Sequence, residues 1–134
     1  MRYYVAYKHQ GADIRLLINN LNIISRAIES TWNSTYIFFR DWQKWGEIII
    51  PINKIMNIAF EELDSSDGIF AFVDNKEKSE WLLLECWYAK AKNKKIVLAI
   101  KKWIDLRLLK TLADEIIEFS DISDLEKQII NIII

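Results

Sequence analysis

The chain has 134 residues, of which 51% are hydrophobic and 28% charged, and its formal net charge is −1 at pH 7. This length predicts a single domain over residues 1–134. The nearly balanced charge excludes the strong positive field that attracts nucleic acid or anionic lipid, so we expect neither a nucleic-acid nor a membrane partner. The single cysteine, Cys86, cannot form an internal disulfide, and the first residues lack the apolar region of a signal peptide. We therefore expect a cytoplasmic protein.

The first third of the chain alternates two predicted strands with an amphipathic helix. Residues 3–7 form a short aromatic and β-branched run, which is typical of a strand. Apolar residues then recur every three or four positions from Ile14 to about Glu29, which predicts a helix with Asp13 as its cap. A second strand is predicted over residues 35–39.

The pattern continues after a polar, Trp-rich loop at residues 40–47. Pro51 suits the first position of a helix whose apolar positions continue to Leu63. Residues 69–73 and 96–100 are uninterrupted apolar runs of strand length. Such runs predict central strands that are covered on both faces of a sheet.

One helix between those two central strands differs from the others. Ser79 can cap it, and residues 81–91 are almost wholly apolar except for Glu85. A carboxylate in a buried segment is costly unless it is paired, neutralised or used in chemistry. Glu85 could instead lie on an exposed edge of the helix, or form a salt bridge with Lys92 or Arg40.

A short helix over residues 105–114, a strand over 115–119 and a helix from Ser123 complete the pattern. Strands that alternate with helices predict an α/β fold, a flavodoxin-like or Rossmann-like three-layer sandwich. Its five-stranded parallel sheet should have the order 2-1-3-4-5. Ligands bind outside the carboxyl ends of such strands, where the order reverses. Three loops should meet there, formed by residues 8–12, 40–47 and 74–79.

Several side chains near this predicted crevice could contact a ligand. Trp81, Glu85 and Tyr88 are spaced to share one helix face, and Trp81 could stack on a base or pack in the core. His9 could protonate a leaving base, although a single loop histidine is more often incidental. Asp41 could bind a ribose hydroxyl or simply end a strand. No spacing of His, Cys and carboxylates suggests a metal site, and we expect no cofactor.

The central block of the chain resembles the nucleoside 2-deoxyribosyltransferase-like family. The resemblance rests on an Asp before an apolar strand at 67–73, a Glu-x-x-Tyr-Ala segment that starts at Glu85, and a Lys before the strand at 95–97. It covers roughly residues 3–101. It implies that Glu85 is the nucleophile and that Tyr4 lies in the pocket.

The chain also departs from that family's pattern. Trp81 and Trp87 stand where relatives have Gly, Ser79 stands at the position of a pocket carboxylate, and Ala59 stands near that of a base-binding Asp. The two tryptophans could fill the pocket. They favour a further hypothesis, that of a non-catalytic nucleotide-sensing or interaction module that kept the fold.

A second resemblance is to Toll/interleukin-receptor (TIR) domains. The spacing Ser79-x-Trp81-x-x-x-Glu85 is similar to their Ser-x-Trp-Cys-x-x-Glu signature. The segment around Tyr7 is similar to their first box, and residues 39–41 to the exit of their second strand. This resemblance implies that Glu85 cleaves NAD, as a substrate, at the nicotinamide glycosidic bond. The enzyme would then be NAD-cleaving or cyclising, and would act in antiviral defence signalling.

Both resemblances imply a carboxylate that acts on an N-glycosidic bond. We expect a hydrolase or transferase that acts on a nucleoside or nucleotide, with Glu85 as nucleophile or stabiliser of the oxocarbenium ion. The substrate-binding residues that we expect are Tyr4, Tyr7, His9, Asp41, Ser79, Trp81 and Tyr88. Apolar residues on the outer side of the Glu85 helix, Leu84 and Trp87, together with the tail at 132–134, predict a homodimer or higher homo-oligomer.

Overall fold

The computed structural model describes residues 1–132 and shows a five-stranded, fully parallel sheet with helices on both faces. The strands are β1 Arg2–Tyr7, β2 Ser34–Tyr36, β3 Gly68–Val73, β4 Lys95–Lys101 and β5 Glu115–Phe119. The helices are α1 Ile14–Glu29, α2 Phe38–Asp41, α3 Ile52–Asp64, α4 Glu80–Ala91, α5 Arg107–Leu112 and α6 Ile122–Ile132. The order β2-β1-β3-β4-β5 confirms the predicted flavodoxin-like or Rossmann-like topology.

Each face of the sheet has its own hydrophobic core, because successive strand residues point to opposite sides. On one face, Tyr3 and Val5 of β1 pack with apolar residues of α1 and α6. On the other, Tyr4 and Ala6 pack with residues of α3, α4 and α5. β3 is buried along its whole length, as its uninterrupted apolar run predicts.

Two of the predicted helix caps are present in the structure. The Asp13 carboxylate accepts a hydrogen bond from Leu16 N at 3.2 Å, and α1 begins at the next residue. The Ser79 hydroxyl accepts one from Leu82 N at 3.3 Å, and α4 begins at Glu80. Each bond satisfies a backbone N–H of the first turn that has no partner within the helix.

The second strand is shorter than its sequence predicts. β2 ends at Tyr36, and Phe38–Asp41 form the short helix α2 instead of continuing the strand over residues 35–39. The Asp41 carboxylate accepts a hydrogen bond from Ile37 N at 2.9 Å, while its own N–H donates to the Ile37 carbonyl at 2.8 Å. These local bonds stabilise the turn and compete with the strand. The prediction from the apolar run was therefore wrong here.

Other boundaries differ by one or two residues. Pro51, predicted as the first residue of α3, precedes the helix with an extended ψ of 143°. The helix predicted over residues 105–114 is the shorter α5, and α6 begins one residue before Ser123. Ile133 and Ile134 of the predicted apolar tail lie outside the described residues.

No helix among residues 1–132 is both long and apolar enough to span a bilayer. The outer side of α4 carries two large apolar side chains, Leu84 and Trp87, which are 46% and 50% exposed. They point away from the sheet, as the sequence pattern indicates. The homo-oligomer that we expect from them stays a prediction.

Candidate active site

Glu85 is the buried charge around which the candidate active site is built. α4 begins at the carboxyl edge of the sheet, beside the end of β3, and packs beneath β1 and β3. Glu85 is the sixth residue of this helix and is only 7% exposed. The hydroxyl of Tyr4, itself buried on β1, donates a hydrogen bond to Glu85 Oε2. The carboxylate is therefore paired inside the protein.

The two alternative positions for Glu85 are excluded. Its burial rules out an exposed helix edge. Lys92 instead lies 3.8 Å from a carboxylate oxygen of Asp64, and Arg40 lies 2.9 Å from one of Asp41.

Burial controls the ionisation of this pair. It raises the pKa of Glu85 from its ordinary 4.5 to about 7, although the hydrogen bond from Tyr4 acts to lower it. Burial, and then the neighbouring Glu85 charge, raise the pKa of Tyr4 well above its usual value, so the phenol keeps its proton. A carboxyl group with a pKa near neutrality can donate a proton, accept one or carry a negative charge during a reaction at physiological pH.

A cavity of about 580 Å³ opens beside Glu85 at the carboxyl edge of the sheet, where this topology places ligands. Its volume is within the range of about 300–1,000 Å³ that is usual for small-molecule sites. Six of the eight site residues predicted from the sequence line it, and these are Tyr4, Tyr7, His9, Ser79, Trp81 and Glu85.

The other two predicted residues lie outside the cavity lining. The Asp41 carboxylate accepts hydrogen bonds from two neighbours in the chain, the Ile37 N–H and the Arg40 guanidinium. The Tyr88 hydroxyl donates to Asp64 at 2.8 Å, and its ring stacks on Phe60 with centroids 4.3 Å apart. Tyr88 therefore joins α4 to α3.

Tyr7 and His9 lie on the side of the cavity near α2. The Tyr7 hydroxyl accepts a hydrogen bond from Phe39 N at 2.9 Å, which fixes its ring against that turn. The His9 ring lies edge-on to Phe39, with centroids 4.8 Å apart. Burial lowers the pKa of His9, which favours the neutral imidazole at pH 7 and makes His9 a poor proton donor there.

Neither tryptophan fills the cavity. Trp81 is half-buried and lines it, whereas Trp87 lies on the outer side of α4 and is absent from the lining. Trp81 therefore presents part of its surface to the enclosed space, where the flat face of a ring could stack on it.

The sequence interpretation missed part of the lining. The missed side chains comprise a polar set, Lys8, Gln10, Gln43, Lys78 and Glu80, and an apolar set, Val5, Ala6, Phe38, Ile52 and Ile55. Ala59, which the family resemblance places near a base-binding position, also lines the cavity. Most of the polar residues belong to the loops that were expected to meet at the crevice, so their position could have identified them. The α3 residues carry no such signal, because a cavity wall and a core face have the same apolar periodicity.

The two ends of the cavity differ in character. The end at the start of α4 is polar, because Lys8, Lys78, Ser79 and Glu80 line it and the helix adds free backbone N–H groups. The Lys8 Nζ donates to the Gln10 carbonyl at 2.6 Å and lies 3.5 Å from a Glu77 carboxylate oxygen. The α3 side is apolar. The arrangement fits a molecule with a flat apolar part and an anionic part, and Glu85 lines the same cavity.

No protein-family model matches the sequence, and a search of curated proteins finds no match. Solved structures do match over almost the whole chain. The CMP N-glycosidase BcmB of Clostridium botulinum aligns with a TM-score of 0.71 at 14% identity, over 96% of this chain and 97% of its own. A conserved protein of Enterococcus faecalis V583 aligns with a TM-score of 0.70 at 15% identity, over 96% of each chain.

A third solved structure is the 2-deoxyribosyltransferase of Bacillus psychrosaccharolyticus. It aligns with a TM-score of 0.69 at 12% identity, over 94% of this chain and 90% of its own. At identities this low the likeness concerns the fold. The chain has the nucleoside 2-deoxyribosyltransferase-like fold.

Proposed function

We propose that this protein is an enzyme that cleaves or transfers the glycosyl group at the N-glycosidic bond of a nucleoside or nucleotide. The observation that carries the proposal is the buried Glu85–Tyr4 pair beside a cavity of nucleotide size. Two structures of the same fold support it, since one is a CMP N-glycosidase and the other a 2-deoxyribosyltransferase.

The chemistry follows from the position of Glu85. As the C–N bond breaks, its electron pair leaves with the base and positive charge develops on the sugar. The ionised Glu85 stabilises that charge or attacks the anomeric carbon to form a glycosyl ester. Tyr4 holds Oε2, so that Oε1 can face the sugar. Water resolves the ester in hydrolysis, and a second base resolves it in transfer.

The two ends of the cavity suggest how the substrate lies. The base would pack on the apolar side beside Ile55 and Trp81, with the sugar at Glu85. A 5′-phosphate would reach the polar end, where Lys78 and the first N–H groups of α4 favour an anion. This arrangement favours nucleoside monophosphates over uncharged nucleosides.

The test is a turnover assay with a chemically matched variant. Wild-type protein, Glu85→Gln and the control Glu118→Gln are incubated with nucleosides, deoxynucleosides, their monophosphates and NAD, and base release is followed by chromatography. Glu118 is exposed on β5, away from the cavity. We expect release by wild type and Glu118→Gln, and a loss of about 10³-fold or more in Glu85→Gln.

A TIR-type enzyme is the second candidate, because Trp81 and Glu85 of the TIR-like spacing both line the cavity. Release of nicotinamide from NAD, without base release from any nucleoside or monophosphate, would establish it. If the folded protein turns over none of these compounds, the hypothesis of a non-catalytic nucleotide-sensing or interaction module is favoured.

A further inference from the structure

Three tyrosines of β1 and β2 lie near Glu85 and use their hydroxyl groups differently. Burial raises the pKa of Tyr4, Tyr7 and Tyr36, and the charge of Glu85 adds to each rise. The Tyr4 hydroxyl donates a hydrogen bond to Glu85. The Tyr36 hydroxyl is buried without a partner among residues 1–132, and Tyr36 does not line the cavity. Tyr7 lines the cavity and is not the donor to Glu85, so its hydroxyl can serve a ligand.

A backbone hydrogen bond holds the Tyr7 hydroxyl in place, because the hydroxyl accepts from Phe39 N at 2.9 Å. A phenolic hydroxyl has one proton to donate and two lone pairs that accept. The bond from Phe39 uses a lone pair and leaves the proton available. Because burial raises the pKa of Tyr7, the group keeps that proton at neutral pH. Tyr7 is therefore a pre-oriented hydrogen-bond donor in the wall of the cavity.

The rest of the lining indicates which part of a substrate would meet this donor. The α3 side beside Ile55 is apolar and suits a base, and the start of α4 at Lys78 suits a phosphate. The sugar would lie at Glu85, whose charge acts on Tyr7. The 2′-hydroxyl is the sugar hydroxyl closest to the anomeric carbon, because the carbon that carries it is bonded to that atom. It is therefore the acceptor that the Tyr7 proton suits best.

We propose that the Tyr7 hydroxyl donates a hydrogen bond to the 2′-hydroxyl oxygen of the substrate sugar, so that the site selects ribonucleotides over 2′-deoxyribonucleotides. This inference rests on the function proposed for Glu85. A 2′-deoxy sugar would displace solvent from Tyr7 without offering an acceptor, which leaves the donor unpaired. Hydrogen bonds at the 2-hydroxyl of a sugar also strengthen in the transition state of glycoside cleavage. The preference should therefore appear in kcat/KM as well as in binding.

The test compares ribonucleoside 5′-monophosphates with their 2′-deoxy forms, each pair carrying the same base. Base release is measured for wild type, Tyr7→Phe and the control Tyr36→Phe, whose side chain is not part of the cavity lining. We expect Tyr7→Phe to lower kcat/KM for the ribonucleotide at least about tenfold and to leave the deoxynucleotide value within about threefold. The retained deoxynucleotide value would show that the site is intact. Tyr36→Phe should leave both values unchanged. An equal loss for both forms in Tyr7→Phe would overturn the proposal.

A binding measurement separates this inference from the function on which it rests. Ribose 5-phosphate and 2-deoxyribose 5-phosphate are titrated into wild type and Tyr7→Phe by calorimetry. We expect wild type to bind ribose 5-phosphate at least about tenfold more tightly, and Tyr7→Phe to bind the two alike. The wild-type comparison stands even if Tyr7→Phe fails to fold. A wild-type preference without turnover of any nucleotide would contradict the proposed function and support the inference. Equal binding of the two sugars by wild type, or binding of neither, would overturn the inference even where nucleotides are turned over.

Discussion

Helices α1 and α4 pack on opposite faces of the same sheet, and they bury different kinds of side chain. Both begin with a side-chain cap, at Asp13 and Ser79. α1 buries apolar residues with the neutral Asn20 and Ser25, whereas α4 buries the carboxyl group of Glu85. A buried ionisable group costs stability unless its charge is compensated. The comparison shows that the α1 face buries only uncharged groups, while the α4 face buries a carboxyl group whose role in catalysis is our proposal.

The largest expected effect comes from Glu85→Gln, which leaves α4, like α1, without a buried carboxyl group. The pKa of Glu85 rises from 4.5 to about 7 on folding. Between these values the folded protein keeps a proton that the unfolded chain has lost, so wild-type stability falls as pH rises through this window. Glutamine removes this loss. We expect the free energy of unfolding of the variant, relative to wild type, to rise by about 3 kcal/mol between pH 4 and pH 8.

Urea unfolding at several pH values measures this difference. Glu118→Gln, which changes an exposed side chain, should follow the wild-type curve. A Glu85→Gln variant that loses stability with pH in parallel with wild type would show that burial does not raise this pKa.

A smaller effect is expected from Tyr4→Phe, which leaves the Glu85 carboxylate buried without its donor. Hydrogen bonds to charged groups contribute about 1.5–3 kcal/mol, so we expect a loss of this size at pH 8, where Glu85 is ionised. The bond from Tyr4 lowers the pKa of Glu85. Its removal should therefore shift the rise of activity with pH to higher pH, which a pH–rate profile measures.

Tyr36→Phe is the matched control, because the Tyr36 ring stacks on Tyr4 with centroids 5.5 Å apart. Its buried hydroxyl has no hydrogen-bond partner among the described residues. We expect little loss of stability and no shift of the profile. Equal effects of the two substitutions would mean that the bond to Glu85 contributes nothing beyond the loss of a buried hydroxyl group.

The two tryptophans of α4 allow a test of substrate stacking. Trp81 lines the cavity and Trp87 is half exposed on the outer side. Stacking of a base on an aromatic ring is worth about 1–3 kcal/mol. We expect Trp81→Ala to raise KM about tenfold, with kcat less affected, and Trp87→Ala to leave KM unchanged. A raised KM in Trp87→Ala alone would place substrate on the outer side of α4.

The smallest effect compares the two helix caps. Asp13→Ala and Ser79→Ala each remove one cap bond, which should cost about 1 kcal/mol in thermal or urea unfolding. Only Ser79 also lines the cavity beside Glu85, so only Ser79→Ala should raise KM for a nucleoside monophosphate. An equal rise of KM in both variants would indicate that the substrate does not contact the start of α4.

Much of the fold could be predicted from local patterns. Helical periodicity identified α1 and α3, and uninterrupted apolar runs identified β3 and β4, because burial of these elements imposes those patterns. The α2 turn was missed because Asp41 stabilises it through contacts with its neighbours, and an apolar run does not reveal such contacts. The cavity wall on α3 was missed because it has the same periodicity as a core face.

Candidate site residues on α4 were predicted from helix geometry, and Tyr88 shows a limit of that prediction. Tyr88 shares a face with Trp81, but it lies seven residues further on, about 10 Å along the axis. The cavity is at the beginning of α4, so Tyr88 contacts Asp64 of α3 instead. Spacing identifies which face a residue occupies, but not where along the helix that face meets a ligand.

By itself, the sequence determined the order of the strands and of every helix except α2, the sheet topology that follows from it, and a lone carboxyl group in an apolar helix. Only the tertiary structure decided that Glu85 meets Tyr4, which is 81 positions away in the chain. It also decided that the pair, although buried, lines a cavity. The physical reason is that local patterns record which side of an element is buried, whereas the partners met there depend on how β1 and α4 pack together.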